Sequence, residues 1–266
     1  MLHVMMDMYG STSEKLNDLK SIYETIYKVT NHLSVKTIMP PVLVPYYYGS
    51  VKEDDGISAF VFLRGGHFTI HTFPERECYF VDILYDGFLN EDKLVNILSV
   101  ELPFEDKIVH SADRRFTLDA QLNKGEIDAN TDFGPHYLMR SEMPCQLSME
   151  QIYHFLDQLP TLIGMEPILR PVVVTDKVQN HSIVSGLTVI AQSHISVHYY
   201  LEEHKAYIDI FSCSFINCDN IDKIVEQMLG IKCETVLISR GSKHARKTAL
   251  RSEVIKRYNK WQDNII

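Results

Sequence analysis

The stretch AQSHISVHYY, residues 191–200, sets a serine, two histidines and two tyrosines into the alternating apolar pattern of a β-strand. A serine beside histidines admits nucleophilic chemistry, and two histidines four residues apart admit a metal ion. On a strand, residues four apart share a face but lie ~13 Å from each other. One ion is therefore not expected to take both His194 and His198, nor His67 and His71 in the related stretch RGGHFTIHTF, residues 64–73. No acidic or thiolate third ligand stands at metal-motif spacing, so no metal site is expected. A hydrolase built from Ser193, His198 and Asp209 would lack the GxSxG elbow that exposes such a serine, and Asp209 fits a structural strand position equally well.

The two stretches belong to a longer duplication. Residues 58–90 align with 185–217 at a constant offset of 127 without a gap, and eight of the 33 pairs are identical, among them Ser58/Ser185, His67/His194, His71/His198, Glu75/Glu202 and Asp82/Asp209. Two polar positions differ in a way that matters chemically: Gly66 becomes Ser193, and Asp86 becomes Cys213. His194 is shared by both copies and reads as structural.

The elements that carry these residues repeat too. Copy one has a helical pattern from Ser13, with Ser11 or Ser13 and following acidic residues as a capping box. The strands ISAFVFL, HFTIHTF and CYFVDIL come next, and a helix at NEDKLVNIL closes the copy. Copy two has a helix capped by Ser148 and stopped by Gly164, then IVSGLTVI, HISVHYY and AYIDIFS, then a helix at NIDKIVEQML. The expected fold is α+β: two duplicated α/β sandwich units, antiparallel sheets with helices on the outer faces, forming a pseudo-dimer within one chain. The division is 1–102 for the first repeat, 103–134 for a polar, acidic connector with one or two short elements, and 135–266 for the second repeat.

Composition limits the function classes. With 45% hydrophobic residues among 266, the chain can bury a proper core, and its net charge of −9 argues against a nucleic-acid surface. The basic tail Lys243–Lys260 interleaves its charges with apolar residues at helical spacing and reads as a solvated helix face. The apolar run Ile168–Val174 is broken by Arg170 and Pro171, so no membrane segment is expected. Five cysteines without a CxxC pair suggest neither a disulfide framework nor a zinc knuckle, and the expected location is the reducing cytoplasm.

The segment VSGLTVIAQSHISVHYYLEEHKAYIDIFSCS resembles the bacterial and archaeal type of S-adenosylmethionine decarboxylase, as does copy one through HVMMDMYG and ISAFVFLRGGHFTIHTFPERECYFVDILYDG. The SHxSxH block with a cysteine twenty residues past the serine is its most specific part. The resemblance implies a pyruvoyl-dependent carboxy-lyase of polyamine (spermidine) biosynthesis, made as a zymogen that cleaves itself between Gln192 and Ser193. The serine hydroxyl attacks the preceding carbonyl, the ester undergoes β-elimination, and the new N-terminus becomes the pyruvoyl cofactor. By the same resemblance His198 is the base for β-elimination, Ser185 assists near the scissile carbonyl, and Cys213 returns a proton after carbon dioxide leaves. Tyr200 and Glu202, with Phe73 and Glu75 from copy one, would hold the substrate's adenine and ribose.

Ser193 and His198 are five apart and face opposite sides of a straight strand, so the chain is expected to bend at Ser193 or to be freed there by cleavage. Gln192 stands where the family has glutamate, and Tyr199-Tyr200-Leu201 replaces Thr-Trp-Pro. The substrate is expected to be a small cationic amino acid: S-adenosylmethionine, or alternatively ornithine or arginine on the same scaffold. The two cleaved chains would stay associated, and further pairing into a homo-oligomer is left open. A non-catalytic regulatory partner is the remaining alternative, which the intact set Ser193, His198 and Cys213 disfavours.

Overall fold

The computed structural model describes residues 1–46, 51–116, 127–128, 132–142, 146–178, 180–191, 193–213, 216 and 218–242. Gln192 and the basic tail lie outside the described residues. Among the described residues, twelve strands form two antiparallel six-stranded sheets. The first runs β2 (Val42–Tyr46), β3 (Gly56–Leu63), β4 (Gly66–Phe73), β5 (Cys78–Tyr85), β1 (Leu2–Tyr9), β6 (Asp106–Asp113). The second runs β8 (Val172–Val178), β9 (His181–Ile190), β10 (Ser193–Tyr200), β11 (Lys205–Phe211), β7 (Asp132–Glu142), β12 (Glu234–Ser242), the same order strand for strand.

The expected α+β pseudo-dimer is what forms. Each sheet is covered on one face by helices. In the first unit α2 (Leu19–His32) buries Ile22, Ile26 and Val29, and α3 (Glu91–Glu101) buries Leu94 and Leu98, both against Phe68, Ile70, Val81 and Ile83. In the second, α4 (Met149–Leu162) and α5 (Cys218–Leu229) pack on Ile195, Val197, Ile208 and Ile210. The other faces of the two sheets meet each other, and mixed clusters such as Phe60 and Phe62 with Leu187 and Val189 fill the rim of that interface. Strands β3, β4 and β10 are buried along their whole length because both faces are covered.

Local signals explain most boundaries. Ser148 caps α4 in a full capping box with Gln151, and Gly164 ends that helix at φ +77°. The expected helix from Ser13 is instead two: a single turn, α1 (Ser13–Leu16), and then α2, whose cap is Asp18 accepting from the Lys20 amide at 2.9 Å. Ser11 and Ser13 cap nothing, because Thr12 holds the N-cap position of α1 and makes no side-chain bond. Strand β6 lies inside the stretch expected as a connector, yet it pairs with β1 as the outer strand of the first sheet. The first unit therefore extends at least to Asp113, and the second sheet starts at Asp132. Among the described residues no helix is long and apolar enough to cross a membrane.

Candidate active site

Register fixes where the reactive side chains stand. Ser193 is the first residue of β10, opposite Ile190 across the tight turn that follows β9. Its parity groups it with Ile195, Val197 and Tyr199 on the helix-covered face, while His194, Ser196, His198 and Tyr200 point into the interface between the sheets. The Ser193 hydroxyl is buried and accepts a hydrogen bond from the Cys213 amide at 2.9 Å. The Cys213 thiol donates to the Ala191 carbonyl at 3.3 Å. The two hydrogen bonds hold Ser193, Cys213 and Ala191 together at the start of β10, and Cys213 packs on a cluster of Tyr9, Phe73, Phe80, Phe133 and Phe211.

Ser185 and His198 are also brought together, being directly opposed on β9 and β10, with Oγ to Nδ1 at 2.8 Å. They are not brought to Ser193. β10 pairs in register from Ser193 or His194 to Tyr200 on both sides, with no bend within those described residues, and five residues of strand separate Ser193 from His198 by ~16 Å. His198 Nε2 instead meets His67 Nδ1 of the opposite sheet at 2.8 Å, next to Gly66.

The equivalent pair in copy one takes the complementary place. Ser58 Oγ lies 2.9 Å from His71 Nδ1, and His71 Nε2 lies 2.9 Å from His194 Nδ1, the residue following Ser193. The pairs cross because the sheets stack about a pseudo-twofold axis: each copy's Ser–His pair lies against the histidine near the start of the other copy's strand.

The residues expected to hold substrate divide the same way. Phe73 is buried in the cluster with Cys213, and Glu75 follows it on an exposed turn, so both lie at the Ser193 end. Tyr200 lies seven residues from Ser193, ~23 Å along the strand. Its hydroxyl donates to the Gly65 carbonyl at 3.2 Å, and it packs on Leu84, Ile183 and Tyr207. Glu202, exposed beyond it, accepts from the Ser182 amide at 2.7 Å. Tyr200 and Glu202 thus belong to the end where Gly66 and Asp86 replace the serine and the thiol. That end is sterically closed to a simple reversion: a Cβ on Gly66 would sit 1.8 Å from the Leu84 carbonyl oxygen.

Between the two ends lies a buried polar layer. Arg240, fully buried, donates to Asp7 at 2.6 Å, to Asp82 and His136 at 2.7 and 3.0 Å, and to the Met6 and Val81 carbonyls. Arg114 reaches the other way, to Asp209, to His3 at 3.0 Å and to the Met139 and Ile208 carbonyls. Burial alone would raise the Asp82 and Asp209 carboxyls, but Arg240 and Arg114 respectively hold them below the usual carboxylate range. Burial pushes His67 and His71 down to about 4 and His194, His198 and His136 well below an ordinary imidazole. Burial thus favours the neutral form of these five imidazoles.

The S-adenosylmethionine decarboxylase family model matches residues 2–115 and 145–241, one segment on each sheet. The chain belongs to this family. Among solved structures, the adenosylmethionine decarboxylase from Aquifex aeolicus VF5 aligns with 41% of this chain and 86% of its own length, at 21% identity and a TM-score of 0.35. An unknown protein from Galdieria sulphuraria aligns with 89% of this chain and 98% of its own, at 8% identity and a TM-score of 0.21. No curated protein matches.

Sequence reasoning missed the contact of the Ser58–His71 pair with His194, the residue after Ser193, although both residues were visible in the aligned pairs. A face-to-face duplicate exchanges partners across its axis, and that rule would have found them.

Proposed function

We propose that the chain is a pyruvoyl-dependent S-adenosylmethionine decarboxylase with one working site, whose serine and thiol come from the second unit and whose histidine comes from the first. The crossing of the Ser–His pairs carries this reading: it puts Ser58 and His71 at the Ser193 end and leaves Ser185 and His198 at the end that has only Gly66. The base role expected for His198 thus passes to His71, and that of Ser185 to Ser58.

In self-cleavage the Ser193 hydroxyl attacks the Gln192 carbonyl, and the amide nitrogen departs to give an ester. The Cys213 amide holds the oxygen in place, while its thiol holds the Ala191 carbonyl. Ser58, beside His71, is the donor for the carbonyl oxygen. His71, kept neutral by burial, removes the Ser193 α-proton, and the carboxylate of Gln192 leaves with the C–O electron pair. Addition of water and loss of ammonia leave the α-keto group.

Only a residue with a β-hydroxyl or thiol can do this, which fits Ser193 and excludes Gly66. The pyruvoyl carbonyl supplies an electrophile for the substrate's α-amine and a sink for the electron pair left when carbon dioxide departs. Cys213 then returns the proton. Phe73 offers a face for adenine and Glu75 a carboxylate for ribose hydroxyls; the segment reads HTFPE, so the Thr-aromatic-Pro-Glu run that copy two replaces with Tyr199-Tyr200-Leu201-Glu202 is present at this end. After cleavage β10 remains bonded between β9 and β11, which keeps segments 1–192 and 193–266 together.

The test compares His71→Ala with His198→Ala in purified full-length chains, following cleavage by intact mass and carbon dioxide release from S-adenosylmethionine, ornithine and arginine. His71→Ala should slow cleavage by about a hundredfold or more and His198→Ala far less. The reverse order would return the base role to His198. Release from ornithine or arginine alone would keep the chemistry and overturn the substrate.

A further inference from the structure

One cluster in the middle of the interface has the spacing of a metal site and takes no part in the reaction above. A ring nitrogen of His3, a ring nitrogen of His136 and a carboxylate oxygen of Asp209 lie within 4.8 Å of one another, and all three residues are fully buried. We propose that this cluster is a water site that excludes metal ions: one buried water accepts hydrogen bonds from His3 Nε2 and His136 Nε2 and so bridges the two sheets.

The two buried arginines decide the chemistry. Arg114 Nη1 stands 3.0 Å from His3 Nδ1, and Arg240 Nη1 stands 3.0 Å from His136 Nδ1. A guanidinium only donates, so both Nδ1 atoms accept. An imidazole with a bare Nδ1 carries its proton on Nε2, which makes each Nε2 a donor. Among the described residues both of these nitrogens are buried without a hydrogen-bond partner. Asp82 Oδ1 lies 3.7 Å from His3 Nε2, beyond a direct bond. A buried N–H left in that state is costly, and a polar gap of that size is one that water closes.

The same arginines turn a metal ion away. A metal needs an imidazole lone pair, and those that His3 and His136 keep are taken by guanidinium N–H groups, while Asp209 Oδ1 is held by Arg114. The carboxylates turn an anion away. Asp82 Oδ1 is 3.7 Å from a ring nitrogen of each histidine, and Asp209 Oδ1 is 3.7 Å from His3 Nδ1. What fits is a small neutral molecule that accepts two hydrogen bonds and donates two, and that molecule is water.

The surroundings leave room and supply acceptors. Successive ring centroids of His3, His67, His194 and His136 are 6.1, 5.3, 6.2 and 5.5 Å apart, the last distance closing the circuit back to His3. The middle of a flat circuit of that size is ~4 Å from each centroid, which sets a nitrogen turned inward ~3 Å away, the length of an N–H···O bond. The four rings are tied through Nδ1 to Arg114, His198, His71 and Arg240 respectively, which leaves Nε2 on the far side of each ring from those partners. The water's own protons find acceptors in Asp82 Oδ2 and in Nε2 of His67 or His194. All three atoms are buried and, among the described residues, without a partner.

The experiment is a crystal structure of the purified protein at a resolution that shows single waters, with parallel crystals soaked in zinc chloride and in sodium bromide and measured for anomalous scattering. The expected result is density for one oxygen at ~2.7–3.2 Å from both His3 Nε2 and His136 Nε2, and no zinc or bromide peak at that place. Nitrogen-15 NMR of the imidazoles should show both residues protonated on Nε2 alone at neutral pH. A zinc or bromide peak between the two rings would overturn the proposal. So would clear density with no atom between the two Nε2 positions, or a proton on Nδ1 of either ring.

Discussion

Lowering the pH should separate the two sheets before it unfolds their helix-covered faces. Five buried histidines, His67, His71, His136, His194 and His198, have folded-state values below the ordinary 6.5, in each case mainly through burial. The unfolded chain takes up protons at these positions near pH 6.5, whereas the folded chain does so only near 4 at His67 and His71 and well below 6.5 at the other three, so stability is complete above about pH 6.5 and is lost as the pH falls below it. Between about pH 7.5 and 5.5 the unfolded imidazole becomes ~90% protonated while the folded one stays neutral, which costs about 1.4 kcal/mol for each histidine. Five of them amount to roughly 7 kcal/mol, a large part of the ~5–15 kcal/mol that a folded chain has to lose. The carboxylates add nothing in this window, because Asp82 and Asp209 are held below their usual range and titrate at still lower pH. Urea unfolding of the Ser193→Ala chain, followed by circular dichroism at both pH values, measures the difference on a single uncut species. A loss below about 2 kcal/mol would refute the claim that these imidazoles are buried and neutral together.

Arg240→Leu should cost about 3–5 kcal/mol in the same unfolding assay, because it leaves the Asp7 and Asp82 carboxylates buried without a cation. Arg114→Leu should cost less, since among the described residues Arg114 neutralises one carboxylate, Asp209, where Arg240 neutralises two. Gly66→Ser should produce no second cut and should destabilise the chain by about 1–3 kcal/mol, as its Cβ meets the Leu84 carbonyl; a new fragment boundary at position 66 in the mass spectrum would contradict this. Phe73→Ala should raise KM for S-adenosylmethionine by about tenfold, whereas Tyr200→Ala, at the far end, should leave it within about twofold, as measured by carbon dioxide release.

The strands around the site were legible because alternation and duplication agree: the aligned block at offset 127 contains β3, β4 and β5 with their twins, and the structure moves their ends by a residue or two. The rest of the duplication was not legible at that offset. His3 pairs with Leu84 and His136 with Phe211, so β1 and β7 correspond at an offset of 133; Ala112 and Ile238, opposite those histidines, put β6 and β12 at 126. Small insertions thus hid the equivalence of His3 with His136 and of Arg114 with Arg240, and a lone arginine in a sequence reads as surface. β6 was hidden further by its sequence DKIVHSAD, an exposed outer strand with charges at both ends. The helix from Ser13 breaks at Asn17 and Asp18 because Asp18 offers a better cap than any residue before it. The pairing of His198 with Ser193 rested on proximity along one strand, whereas the register sets them five strand residues apart and the stacked sheets bring His71 of the first copy to His194, the residue after Ser193.

The central claim, that Ser193 converts itself into the cofactor of a working site shared by the two units, is tested most directly by the intact mass of the purified wild-type chain. The account predicts two components matching residues 1–192 and 193–266, the smaller one lighter by one ammonia than a fragment beginning with serine, and both lost together in Ser193→Ala. A single uncut chain, under conditions where it is folded, would contradict it.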